Sequence, residues 1–214
     1  MMNVAVIVGI TMIYLLRHGE IVGGNNKRYI GQIDVPLSEK GRDQAAWWKK
    51  KLSRIDFAAV CTSDLIRAFD TAAIVSGLPA EHIRVLPALR EISLGDWEGA
   101  SMETIRTRCP EDWAERGRQM DSFRVPKGES FQDLHDRVIP LFLKIVAGST
   151  GNVLLVAHAC VNRVILCHVL GKPVRDLFSI PQDYAALNLI DTREGGFSVL
   201  ALNRTPETIS FLGD

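Results

Sequence analysis

Short apolar runs punctuate the chain at positions 13–16, 58–61 and 153–157, and β-rich runs broken by a single polar residue lie at 83–85, 186–190 and 197–202. Runs this short that do not alternate with polar residues predict strands covered on both faces. Between them, apolar positions recur at helical spacing. Ser38 and Glu39 open one such stretch, which continues through Ala45, Ala46, Trp48 and Leu52 to about Ser53. Ser63 or Asp64 is the expected cap of a second, through Ala68, Ala72 and Ile74 to Gly77. Ser130 opens a long third through Leu134, Val138, Leu141 and Ile145, ending before Gly148. Pro140 lies inside it and is expected to kink it or mark a turn, because it lacks an N–H and crowds the preceding turn. A fourth runs from Asn162 to Leu170 and stops at Gly171.

Strands alternating with helices predict an α/β fold, a three-layer α/β/α sandwich around a mostly parallel sheet of about six strands. Residues 97–127 break the alternation with a polar, Arg- and Glu-rich stretch containing Trp97 and Trp113. It is expected to form a small helical cap inserted into a single domain spanning 12–204. Residues 1–11 are apolar and lack the basic start and cleavage site of a secretory signal. They are read as an extension or mis-assigned start, with Met12 the working one.

Composition narrows the class without choosing a function. The 214 residues are 47% hydrophobic and 23% charged, with 25 basic residues against 25 acidic ones. That length suits one domain with a full core, and a balanced charge gives no reason to expect nucleic acid or an anionic membrane as partner. Cys61, Cys109, Cys160 and Cys167 contain no Cys-x-x-Cys pair and are read as reduced thiols in a cytoplasmic protein. Cys167 with His168 lacks the paired spacing of a zinc site. Among the helix residues, one of Trp47 and Trp48 is expected to be buried and the other at the rim, with Lys49 to Lys51 on a solvated face.

The chemistry gathers where strands end. Arg17-His18-Gly19-Glu20 follows the first apolar run, and Ser63-Asp64-Leu65-Ile66-Arg67 follows the second. Leu89-Arg90-Glu91 lies beyond the third and His158-Ala159-Cys160 beyond the fourth. Taken singly, His18 or His158 is more often a turn residue, Arg67 a helix-surface side chain, and Glu91 or Glu98 a solvated loop charge. Their joint placement on the rim of a parallel sheet, where such folds bind ligands, raises them together. An imidazole flanked by guanidinium groups suits attack on phosphorus, because the arginines pair with phosphoryl oxygens and stabilise the charge of the transferring group. Nearby cations lower a histidine pKa and keep the nucleophile neutral. A carboxyl group then protonates the leaving oxygen and later accepts a proton from water.

These blocks resemble the histidine phosphatase superfamily in its phosphoglycerate-mutase-like branch, from Met12 to about Leu202. The resemblance implies a phosphohistidine on His18, phosphate held by Arg17, Arg67 and His158, Glu91 as acid and base, and no metal or organic cofactor. The family commonly has Asn at the position of Gly24, for which Asn25 or Asn26 is the expected substitute. It has His-Gly-Gly where this chain has His158-Ala159-Cys160, so Ala159 is strained if its backbone needs a positive φ and serves as an N–H donor if it does not. Cys160 is read as a buried inert thiol, with a lowered pKa beside phosphate as the alternative. Asn162 is a candidate substrate contact. Trp97 and Trp113 either border the leaving group or pack the cap.

Arg28-Tyr29-Ile30-Gly31-Gln32 and the following Asp34-Val35-Pro36-Leu37-Ser38 are similar to α-ribazole phosphatases, fructose-2,6-bisphosphatases and related small-molecule phosphatases. The leading expectation is hydrolysis of α-ribazole 5′-phosphate, in cobalamin lower-ligand synthesis. A broad-specificity sugar-phosphate phosphatase, a phosphoglycerate mutase and a non-catalytic phospho-ligand binding module stay open. The expected partner is a small phosphorylated metabolite, with no nucleic acid and no membrane, and a homodimer stays open.

Overall fold

The computed structural model describes residues 12–24, 28–193 and 196–209. The N-terminal extension and Asn25 lie outside the described residues. Six strands form one sheet: β1 (Met12–Arg17), β2 (Phe57–Thr62), β3 (Arg84–Val85), β4 (Asn152–Ala157), β5 (Leu187–Asp191) and β6 (Ser198–Arg204), in the order β3-β2-β4-β1-β5-β6. β3, β2, β4 and β1 run parallel; β5 pairs antiparallel with β1, and β6 antiparallel with β5. The expected mostly parallel α/β sheet is therefore present.

Side-chain alternation along β1 explains its unbroken apolar run. Ile13 and Leu15 enter one core with Leu155, Leu134, Phe142 and Ile165, while Tyr14 and Leu16 enter the other with Trp48, Ala68, Ala72 and Val156. The first core is covered by α5 (Phe131–Ala147) and α6 (Ala159–Val169), the second by α1 (Glu39–Lys51) and α2 (Ile66–Ser76). Each fully buried aliphatic or aromatic side chain contributes roughly 1.5–3 kcal/mol from the area it removes from water. Trp48 is buried and donates its indole N–H to the Ala185 carbonyl at 2.8 Å; Trp47 is half-buried and Lys49 to Lys51 are exposed.

Two helices begin as expected. Ser38 accepts from the Gly41 N–H to cap α1, and Ser130 with Asp133 forms a capping box on α5. Pro140 sits within α5 without ending it. Two starts differ from the sequence expectation. The α2 cap is Leu65, with no side-chain bond, because Ser63 is drawn to His158 and Asp64 to Arg90. α6 starts at Ala159 rather than Asn162, with His158 as its cap residue. Between β3 and α5 the chain leaves the sheet and forms α3 (Met102–Arg108) and α4 (Pro110–Arg118). A final short helix, α7 (Pro206–Ile209), contacts α1. No helix among the described residues is long and apolar enough to cross a membrane.

Candidate active site

Because β4 lies between β1 and β2, the residues that follow these three parallel strands meet on one rim. His18 follows β1 and His158 follows β4, and their rings lie 5.2 Å apart between centroids. Both are buried. The His18 Nδ1 lies 2.8 Å from the Gly19 carbonyl, which can only accept, so Nδ1 carries the proton and Nε2 keeps the lone pair. Burial, then the charges of Arg17 and Arg67, holds the His18 imidazole well below the usual histidine range. His158 is held low in the same way, by burial first and then by Arg67, His18 and Arg17.

The Ser63 Oγ lies 2.7 Å from His158 Nε2. That hydroxyl also accepts from the Leu65 N–H at 3.4 Å. With the hydroxyl hydrogen directed at Nε2, the His158 proton sits on Nδ1. This buried nitrogen has no partner among the described residues, and neither does the buried Arg17 Nε. Buried N–H groups left without a partner at a strand-end rim mark a place for an anion.

Among the described residues the two guanidinium groups donate to carbonyls and rest on a ring rather than forming a carboxylate ion pair. Arg17 donates to the Gln182 carbonyl at 2.6 Å and stacks on Tyr184, with Cζ 4.0 Å from the ring centre. Arg67 is buried and donates to the Ile33 and Gly31 carbonyls, each at 2.7 Å. The Arg67 carbonyl accepts from Thr71 Oγ1, which itself accepts from the Gly19 N–H at 3.1 Å, tying α2 to the loop after His18. Gly19 and Gly41 meet there: a Cβ on Gly19 would lie 2.4 Å from the Gly41 carbonyl oxygen, and one on Gly41 2.0 Å from that of Glu20.

Glu91 lies across the site from the histidines' strands. Its carboxylate accepts from the Ile92 N–H at 3.0 Å and from the Cys160 N–H at 3.2 Å to each oxygen, at the first turn of α6. Arg137 on α5 holds the backbone behind it, donating to the carbonyls of Ala88, Arg90 and Glu91. Ala159 is the first residue of α6 and is not among the positive-φ residues, so alanine fits the backbone here without strain. Burial and the nearby Glu91 carboxylate push the Cys160 thiol pKa well up, consistent with an inert thiol.

A cavity of about 380 Å³ opens onto this cluster, lined by Arg17, His18, Arg67, Glu91, Ala159 and Cys160. Its outer wall is apolar and aromatic, with Tyr29, Trp113, Phe131 and Phe178. Trp113 therefore borders the cavity, whereas Trp97 is buried in packing. Glu98 is a loop clamp, accepting from the Gln32 and Leu94 N–H groups. Asn162 does not face the cavity as expected. It is fully buried and donates to Gln182, which a further amide, Asn188, connects to the Leu15 carbonyl of β1. Among the described residues, no three His, Cys, Asp or Glu side chains converge where a metal could sit.

Tyr184 and Gln182 carried no signal in the sequence. Both come from the turn before β5, where Ala185 takes a positive φ of 53°, a conformation that costs a non-glycine residue about 1 kcal/mol or more. Three hydrogen bonds hold it there: the Ala185 N–H donates to the His18 carbonyl at 3.0 Å, its carbonyl accepts from the Trp48 indole, and the Arg17 N–H donates to the Ala186 carbonyl.

Known proteins are similar to this chain in sequence and fold. A glucosyl-3-phosphoglycerate phosphatase of Mycolicibacterium vanbaalenii is 33% identical over 169 residues, 75% of this chain and 74% of that protein. Phosphoserine phosphatase 1 of Hydrogenobacter thermophilus is 30% identical over 195 residues, 89% of this chain and 91% of that protein. The crystal structure of the α-ribazole phosphatase from Shigella flexneri superposes with a TM-score of 0.81 at 26% identity, covering 90% of this chain and 96% of that one. Residues 13–205 match the family model, and the chain belongs to the histidine phosphatase superfamily, branch 1.

Proposed function

We propose that this protein is a phosphomonoesterase that works through a phosphohistidine on His18. The observation that carries the reading is a neutral imidazole whose Nε2 lone pair lies among two guanidinium groups and an orphaned imidazole donor. The Nε2 lone pair forms a bond to phosphorus as the ester P–O bond breaks. Arg17, Arg67 and the Nδ1–H of His158 hold the phosphoryl oxygens and stabilise their charge. The Ala159 N–H at the start of α6 adds a backbone donor to the same anion. Glu91, protonated, gives its proton to the departing oxygen. In the second half, water attacks phosphorus, the P–N bond breaks, Glu91 takes the proton from that water, and orthophosphate leaves. In this reading residues 12–204 are one catalytic domain and 97–127 its cap.

Two substrate classes compete within that chemistry. α-Ribazole 5′-phosphate is supported by the structural similarity to the Shigella enzyme and by aromatic walls suited to a benzimidazole. A phosphorylated acid is supported by the kinship to the glucosyl-3-phosphoglycerate and phosphoserine phosphatases. The test is phosphate release from p-nitrophenyl phosphate, α-ribazole 5′-phosphate, 3-phosphoglycerate and sugar phosphates, with His18→Ala beside the wild type. Loss of turnover by at least about a thousandfold is expected, because no other side chain in the site can carry the phosphoryl group. Retention of more than a few per cent of the rate would refute the covalent route. Interconversion of 3- and 2-phosphoglycerate without phosphate release would replace the phosphatase reading with a mutase.

A further inference from the structure

The cavity carries more positive charge than a phosphoryl group uses. Four guanidinium groups, Arg17, Arg28, Arg67 and Arg116, face a single carboxylate, Glu91. Arg17 and Arg67 stand beside the nucleophile, as its depressed pKa records, and match the charge of a phosphoryl dianion. Arg116 belongs to the outer wall. It projects from α4, and its Cζ lies 5.5, 5.8 and 6.0 Å from the ring centres of Phe131, Tyr29 and Trp97, all three of them buried.

Its neighbours on the two short helices behave differently. Arg106 pairs with Glu103 and Arg118 with Glu115, each three residues apart along its helix. Arg116 has no carboxylate partner among the described residues, although it lines the cavity. A cation–π contact with ring faces holds a guanidinium without consuming its N–H donors, which are left for a planar bidentate acceptor. A single guanidinium balances a carboxylate monoanion, and Arg28 at the mouth, bonded to the Gly99 carbonyl at 3.0 Å, adds attraction for an acidic ligand.

We propose that Arg116 is the anchor for a carboxylate on the leaving group, so that the preferred substrates are phosphorylated hydroxy acids or their conjugates rather than neutral phosphoesters. This rests on the phosphohistidine reading of the same site. It decides against α-ribazole 5′-phosphate, whose leaving group offers Arg116 no anion.

The matched probes are 3-phosphoglycerate and glycerol 3-phosphate, which differ only in a carboxylate against a hydroxymethyl group. Wild type is expected to favour 3-phosphoglycerate in kcat/KM by about 10- to 100-fold, the range of a charge-assisted hydrogen-bonded pair. Arg116→Gln should collapse that ratio towards one, mainly by lowering kcat/KM for the acid, and Arg116→Lys should restore part of it. Binding of the same two esters to His18→Ala, with and without Arg116→Gln, reads the ratio independently of turnover. Equal losses on both esters, no preference in wild type, or α-ribazole 5′-phosphate outrunning 3-phosphoglycerate would overturn the anchor. Failure to release phosphate from any ester, p-nitrophenyl phosphate included, would overturn the phosphatase reading instead, with the binding ratio still judging Arg116.

Discussion

The buried neutral histidines make the fold itself sensitive to acid, and the size of the effect follows from the geometry. In the unfolded chain His18 binds a proton near pH 6.5. In the folded protein, burial and then Arg17 and Arg67 depress its pKa well below that value. As pH falls through about 6.5 the unfolded state therefore binds more protons than the native state, and stability drops. The slope is about 1.4 kcal/mol per pH unit for each such histidine, continuing down to the depressed folded value and vanishing above the unfolded one. His158, depressed for the same reasons, adds a second contribution of the same sign. His18→Asn isolates one share, because an amide N–H can replace the Nδ1 donor to the Gly19 carbonyl but does not titrate. Urea unfolding of both proteins at pH 7.5, 6.5 and 5.5, in phosphate-free buffer, gives the comparison. Wild type should lose stability more steeply below pH 6.5, by up to about 1.4 kcal/mol per unit, with a constant offset at higher pH. Parallel pH dependences would refute the reasoning, since His18 would then accept a proton in the fold as readily as in the open chain.

Removal of the hydroxyl in Ser63→Ala leaves the fully buried Nε2 of His158 without a partner, at a cost of about 1–3 kcal/mol. A fall of about tenfold or more in kcat/KM for p-nitrophenyl phosphate is expected, with partial recovery in Ser63→Thr; unchanged kinetics would mean that Ser63 does not set the tautomer. Gly41→Ala places a methyl group 2.0 Å from the Glu20 carbonyl, and overpacking of this kind costs about 1–3 kcal/mol. A thermal melt should shift down by roughly 2–4 °C per kcal/mol for a domain of this size, and an unchanged Tm would show that the loop relaxes freely.

The elements legible in the sequence are those whose signal is local. β1 reads as a buried strand because both of its faces are covered, and Ser38 and Ser130 announce α1 and α5 by capping their own first turns. The starts of α2 and α6 differ from the sequence expectation because a capping-type residue serves a distant partner: Ser63 reaches across 95 positions to His158, and Asn162 serves Gln182 from inside a helix already under way. The histidines, Arg17, Arg67 and Glu91 stood out because strand ends gather them. Tyr184 and Arg116 did not, since a tyrosine in a turn and an arginine among many on a polar helix acquire meaning only from the rings and cations beside them.

The helices that carry the outer wall are also those with the least stake in the core. α4 has no fully buried residue, and α3 has only Ile105, whereas the groups around the nucleophile hang from the sheet and from the helices packed on it. The wall can therefore be rewritten at little risk to folding. Exchanging side chains on seven- and nine-residue helices would offer the same reaction centre to differently shaped or charged esters. For redesign, this makes residues 102–118 the place to start a library, with the strand-end residues left untouched.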